Sequence, residues 1–570
     1  MMHRRTAFLV FALTLLIFAV LFLYPLGMVI KGGFFDENGQ WTTKYIVGVF
    51  RNPVYAQGLL NSVMIAVGTT FLVTLIALPL AVLATRYDFA GKKLFSALIL
   101  VPMILPPFVG AIGFTQILGQ YGVINSLFHL GPIDWLGKGR YFGVVILQAL
   151  SLYPVMYLNA SAALANIDPA MEQAAQILGC RGWRRFRRIT LPLIMPGLFA
   201  GGTIVFIWSF TELGTPLIMN YQRCTPVQVF DALKEIGSNP FPYALVFVML
   251  AASLALYAVS KLAFGRSAFA MQAKATVQAS TQRASGFKSV LVLLPFVIVT
   301  FLALLPHIGV VLTSVAQPGS WYQSVLPQTY TLANYAQALG HSMTVSSIRS
   351  SLLFSSLAVV FNIVLGIAIA FVVVRSTLRF RGALDALAML PLAVPGIVMA
   401  FGYLAISSYL SKIPTIKESA ILKTLFDVQT NPTLFLVIAY GVRRLPYMVR
   451  SAVAGLQQTS VTLEEAASNL GAGALTTLRR VTLPLILANL IAGAMLAFAF
   501  SMLEVSDSLM LAQRQDYWPI TKTIYELFQL IGTGKYVASA LGVWAMLFLG
   551  ITILGASLVL GKKLGAIFRV

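Results

Sequence analysis

Long apolar stretches separated by short polar breaks dominate the pattern along the chain. The first runs from about Ala7 to Ile30, behind His3, Arg4 and Arg5. Its length, about 24 residues, exceeds the apolar core of a cleaved secretory signal. It suffices to cross a hydrocarbon layer about 30 Å thick, so a retained first helix is expected. Eleven more runs centre near residues 70, 106, 152, 205, 253, 301, 361, 395, 443, 497 and 548. The run near 443 is interrupted by Arg443, Arg444 and Arg450, which the pattern places at its inner end. Twelve spans put both termini on one side. The predicted fold class is therefore all-α integral membrane.

One long hydrophilic break, 265–288, lies at the middle and reads as a linker. It separates a first half, 1–264, from a second, 289–570. The halves repeat. Glu172-Gln-Ala-Ala-Gln-Ile-Leu-Gly179 matches Glu464-Glu-Ala-Ala-Ser-Asn-Leu-Gly471, and Arg187-Arg-Ile-Thr-Leu-Pro-Leu-Ile194 matches Arg479-Arg-Val-Thr-Leu-Pro-Leu-Ile486. Over these stretches 12 of 23 aligned residues are identical at a constant offset of 292. The same offset maps Glu212 onto Glu504. An offset of 289 maps Arg86 onto Arg375, Pro102 onto Pro391 and Pro106 onto Pro395. Six spans per half give both repeats one orientation, related by a pseudo-twofold axis along the membrane normal.

Composition sharpens this picture. The chain is 58% hydrophobic and only 10% charged, yet carries a net charge of +22. A soluble domain has about a quarter of its residues charged. With the N-terminus inside, 26 of the 40 Lys and Arg fall in inner segments, as the positive-inside rule requires. Topology thus explains the basic balance, and no nucleic-acid partner is implied. Two cysteines, Cys180 and Cys224, and four dispersed histidines offer neither a disulfide framework nor metal-ligand spacing. No metal site, catalytic constellation or phosphate-binding loop is found.

The best-matched stretch lies in a loop between the fourth and fifth spans of each half, on the predicted cytoplasmic side. Asp168 with Pro169 marks one helix start, and Thr462 with Glu465 fits a capping box in the other. Gly179 and Gly471 mark the stops. The pattern Glu-x-Ala-Ala-x-x-x-Gly, followed by a basic segment and Leu-Pro-Leu, resembles the loop of permeases of ATP-binding-cassette (ABC) importers. It resembles in particular those with both halves fused in one chain, among them ferric-iron, phosphonate and thiamine permeases. The resemblance implies a coupling helix that inserts into an ATPase subunit. Glu172, Ala174, Ala175, Glu464, Ala466 and Ala467 would face the ATPase groove, and Gly179 and Gly471 would make the turn. It further implies two ATPase subunits that bind ATP-Mg in place of any cofactor in this chain, one separate solute-binding protein, membrane lipid, and a bacterial inner membrane. Arg184, Arg185, Arg187 and Arg188 suit either ATPase contact or anionic headgroups.

Acids inside spans are functional candidates because burial there is costly. Glu212 and Glu504 are expected as a pair at an outer vestibule or gate. Asp507 has no acidic counterpart, since Thr215 holds the equivalent position in the first half, and would distinguish the halves toward solute. Pro102, Pro106, Pro391 and Pro395 are expected to kink spans. The leading expectation is an importer permease with ferric iron as first cargo and a phosphonate or phosphorylated solute as second. Glu504-Val-Ser-Asp-Ser508 departs from the Glu-Leu-Pro-Ala-Thr of iron-type relatives. An ion-driven secondary transporter is the reading from another class.

Overall fold

The computed structural model describes residues 4–36, 39–104, 106–235, 239–272 and 281–560. The first half contains α1 (Arg5–Phe34), α2 (Pro53–Arg86), α3 (Pro107–Leu118), α4 (Tyr141–Ala165), α5 (Pro169–Ile177), α6 (Leu191–Phe210), α7 (Thr225–Asp231) and α8 (Phe241–Gln272). The second half repeats this order with α9 (Phe287–Val315), α10 (Ser342–Arg375), α11 (Gly396–Leu410), α12 (Thr433–Gln458), α13 (Val461–Asn469), α14 (Leu483–Met502), α15 (Ile520–Gln529) and α16 (Gly534–Leu560).

Among the described residues nine helices are long and apolar enough to cross a bilayer, or eleven if each of two bent pairs is one span. The twelfth expected span is also a helix, α12. Its arginines keep it below that apolar standard, although it is buried along much of its length. The bent pairs revise the proline expectation. Pro106 and Pro395 do not kink continuous helices; they sit at breaks where the chain turns by 96° and 95°. Each precedes the first residue of α3 or α11 and lacks the N–H a continuing helix would need. Pro102 and Pro391 lie in the short turns just before those breaks.

In each half the second, fourth and fifth spans form the packed centre: α2, α4 and α6, then α10, α12 and α14. The first helices are exchanged. Helix α1 packs on α11 of the other half, where the Tyr403 hydroxyl donates to the Leu21 carbonyl at 2.7 Å. Helix α9 crosses α3 of the first half. Both crossings depend on a glycine. A Cβ on Gly402 would meet the Pro25 carbonyl at 2.8 Å, and one on Gly113 would run into the Pro306 carbonyl. Small residues let backbones approach where lipid gives helices no hydrophobic reason to associate.

The boundary between halves differs from expectation. Helix α8 continues past 264 to Gln272, and residues 273–280 of the expected linker lie outside the described residues. The end of the linker is docked: Tyr87 and Asp88 pair in parallel with Gln282 and Arg283, beside the last residue of α2. The Lys288 ammonium lies 4.7 Å from the Tyr87 ring centroid.

Candidate functional site

The paired loops form one candidate surface. Asp168 caps α5, its carboxylate accepting from the Ala170 N–H at 2.9 Å. In the repeat the cap is Ser460, two residues earlier than the expected Thr462, and its hydroxyl accepts from the Thr462 N–H at 3.3 Å. Both helices end in the same turn. The Cys180 N–H donates to Ala175 O at 2.8 Å and Ala472 N–H to Ala467 O at 3.0 Å. Gly179 and Gly471 sit at φ +78° and +83°, the left-handed position that glycine occupies without strain.

The glutamates do not present their carboxylates outward. Glu172 turns back to Arg86 (2.7 Å) and accepts from the Thr190 hydroxyl (2.8 Å). Glu464 binds Arg375 through both oxygens (3.1 and 3.2 Å) and accepts from Thr482 (3.4 Å). Each glutamate therefore ties its short helix to the end of the second span of its half, α2 or α10, and to a π-helical turn, Phe186–Thr190 or Leu478–Thr482. The reason is electrostatic: a half-buried carboxylate beside an arginine is better paired than exposed. The alanines divide as well. Ala174 and Ala466 are exposed, whereas Ala175 is buried and Ala467 half-buried. The outward stripe is apolar and repeats at the 292 offset: Met171, Ala174 and Leu178, then Leu463, Ala466 and Leu470. Spacing of three and four residues puts each set on one face. The offset that aligned the glutamates also aligned these residues, and that was the available signal.

A second site lies between the halves. A cavity of about 170 Å³ is walled by Pro102, Pro106, Gln148, Trp208 and Glu212 from the first half and by Arg443, Arg444, Phe500 and Glu504 from the second. The halves touch beside it, since a Cβ on Gly214 would meet Val505 at 3.0 Å. Glu504 is ion-paired to both Arg443 and Arg444, one carboxylate oxygen to each. The Arg444 guanidinium also donates to Phe500 O at 3.2 Å.

This pairing corrects the expected place of Arg443 and Arg444. They are ten and eleven residues into α12, about 15 Å from its first residue and more than 20 Å from its last at 1.5 Å per residue. They belong to the middle of the span, because buried cations need anions and Glu504 stands there. Arg450 lies nearer the end and reaches Asp385 at 3.5 Å. Asp507 also differs from expectation. It is fully buried, 3.5 Å from Arg443 and outside the cavity wall, so it stands where it compensates an arginine.

Glu212 is arranged differently from its repeat mate. It accepts only from Thr215, through N–H (3.3 Å) and hydroxyl (3.4 Å), and among the described residues no ion pair reaches it. The positions matching Arg443 and Arg444 are Ser151 and Leu152.

Residues 74–272 and 362–561 match the family described as the binding-protein-dependent transport system inner membrane component. The chain belongs to that family. It carries the family's domain twice, as two tandem halves of a multi-pass inner membrane protein. A Haemophilus influenzae protein named for ferric transport permease function, FbpB 1, is 27% identical over 484 residues, covering 82% of this chain and 70% of the relative. The ferric transport system permease protein FbpB of Actinobacillus pleuropneumoniae is 28% identical over 481 residues, 81% of this chain and 64% of that one. The chain thus spans somewhat under two thirds of the second relative. A Salmonella choleraesuis protein named for 2-aminoethylphosphonate transport, PhnU, is 26% identical over 263 residues, 45% of this chain and 91% of its own length.

Proposed function

We propose that this chain is the fused permease of an ABC importer and that its cargo is ferric iron. The observation that supports the importer reading is the duplicated loop: two capped helices, each with a glycine turn and an unpartnered apolar stripe, at equivalent ends of two halves. Each stripe seats one copy of a cytoplasmic ATPase subunit. The two subunits bind and hydrolyse ATP-Mg, and this chain supplies no catalytic residue. Both termini face the cytoplasm, following the Lys and Arg distribution. A separate solute-binding protein docks on the opposite face. ATP binding draws the loops together and opens the cavity toward that protein; hydrolysis returns the chain to the inward-open state. The inward-turned glutamates transmit this motion, because each links its loop to two spans. The basic pairs Arg187–Arg188 and Arg479–Arg480 lie where lipid headgroups neutralise them.

Iron follows from the names of two relatives. A phosphonate or phosphorylated solute is the second reading, favoured by two guanidiniums in the cavity wall; against it, Glu504 already occupies both. The test is reconstitution in proteoliposomes with the co-encoded ATPase and binding protein. ATP-dependent uptake of radioactive iron is the expected result. Uptake without ATP would support the ion-driven class, and phosphonate uptake in place of iron would overturn the cargo.

A further inference from the structure

Deepening the iron reading, the geometry points to Glu212 as the residue that meets a passing cation, one that carries its own oxygen ligands. The charges of the cavity wall are unequally committed. Arg443 and Arg444 are held by Glu504, and Arg443 also by Asp507, so those four groups compensate one another. Glu212 is left as the wall's one carboxylate without an ion pair among the described residues, and it is part-exposed to the cavity. A carboxylate that no cation contacts directly in such a place favours an incoming cation by Coulomb attraction, stronger there than in water.

A second observation fixes the kind of cation. Gln148 is 2% exposed and lines the same cavity. Its carbonyl oxygen accepts from Ser209 at 2.5 Å, while its amide nitrogen has no partner. A buried amide donor without a partner is costly, and it calls for an oxygen. A bare cation satisfies Glu212 alone. A cation with water or oxyanion ligands satisfies both, its charge at Glu212 and its oxygens at Gln148 once that amide, whose nitrogen is sealed from the cavity in this conformation, turns toward it. No group of three or more His, Cys, Asp or Glu able to hold a metal gathers among the described residues. The contact is therefore a weak station on a path, suited to release. The division of labour is asymmetric: the first half meets the cargo and the second braces the wall.

Trp208 lines the same cavity and supplies the readout. Terbium(III), a hard, oxygen-preferring cation, emits when a nearby indole is excited. The full chain in lipid nanodiscs is expected to sensitise terbium saturably. Glu212→Gln should weaken that titration at least tenfold without changing the melting temperature, and Trp208→Phe should remove the emission. Wild-type titration by Glu212→Gln overturns the inference. So does a Glu212→Gln chain that fails to fold, because a carboxylate required by the fold is not free for cargo. The two readings fail separately. Glu212-dependent terbium binding with no iron uptake sinks iron and keeps the station; iron uptake with an indifferent Glu212 does the reverse.

Discussion

Glu212 and Glu504 stand at the same place in two halves of one chain, just past the ends of α6 and α14, yet their surroundings are opposite. Around Glu504 there are two arginines, a buried aspartate, and donors to its backbone carbonyl from Ser508 (2.5 Å) and Thr521 (2.7 Å). Around Glu212 there are Thr215 and a cavity. In two halves of one repeat, one wall is a brace and the other is open. A pseudo-symmetric fold can therefore host an asymmetric site without altering its helices.

The sharpest break of this comparison is Glu504→Gln against Glu212→Gln. Removing one member of a buried ion cluster leaves uncompensated charge, here two guanidiniums, and costs about 3–5 kcal/mol. Glu504→Gln should thus melt far below the parent or fail to accumulate. Glu212→Gln removes no ion pair and should melt within about 0.5 kcal/mol of the parent. Arg443→Ser, Arg444→Leu and Asp507→Thr together, with Glu504 kept, copy the first half's Ser151, Leu152 and Thr215, remove both cations with the buried aspartate, and should melt closer to the parent than Glu504→Gln alone. Equal melting of the two single variants would show that the halves are not divided in this way.

The loop clamps repeat the comparison at smaller scale. The Arg375 and Glu464 side chains are 6% and 11% exposed, whereas those of Arg86 and Glu172 are 27% and 24% exposed. Arg375 also donates to the Thr459 carbonyl at 3.1 Å. Arg375→Gln should cost about 3 kcal/mol and Arg86→Gln about 1 kcal/mol. Both should lower the ATPase stimulation that the permease confers on its partner, the second-half variant more. A larger effect from Arg86 would reverse the assignment of the tighter clamp.

Much of this was legible in the sequence because it is periodic. Apolar runs long enough to span a bilayer locate the helices, and the 292 offset aligns the loops before any coordinates. The glycine turns at Gly179 and Gly471 were legible for the same reason: a stop signal follows a short helix. What was not legible depends on distance in space. Arg443 and Glu504 are 61 residues apart, and hydropathy sent one to each end of the membrane. Only packing of α12 on α14 brings them together. Likewise Glu172 is separated from Arg86 by 86 residues, so the loop pattern shows a glutamate but not which way it turns. The exchange of α1 and α9 is invisible to hydropathy, since it rests on which glycine meets which carbonyl.

That exchange supplies a third comparison. A side chain at Gly113 would press on the backbone of both Pro306 and Gly309, while at Gly402 it meets the Pro25 backbone at slightly longer range. Overpacking typically costs about 1–3 kcal/mol. Gly113→Ala should fall toward the upper end and Gly402→Ala toward the lower, read from thermal melts in detergent. Unchanged melting in both would mean that the swapped crossings open easily.

Thiol chemistry reports on the first half alone, because both cysteines lie there and the positions aligned with Cys180 and Cys224 in the second half are Ala472 and Asp516. Cys180 follows the turn of α5 and is partly exposed; Cys224 caps α7 and is 1% exposed. Burial pushes the Cys224 thiol from its ordinary 9.0 up to about 12. Since the folded value is raised, the protonated thiol's contribution to stability is intact below about pH 9 and is lost as pH climbs toward 12. Thiolate is the reactive form. A maleimide at pH 8 should therefore label one site per chain, and Cys180→Ser should abolish labelling while Cys224→Ser leaves it unchanged. Docking of the ATPase subunit should then slow the Cys180 reaction, because that residue lies two positions from the exposed Leu178. Labelling of Cys224 at pH 8 would mean that the first half opens around α7, and the wall that holds Glu212 would be less rigid than its repeat.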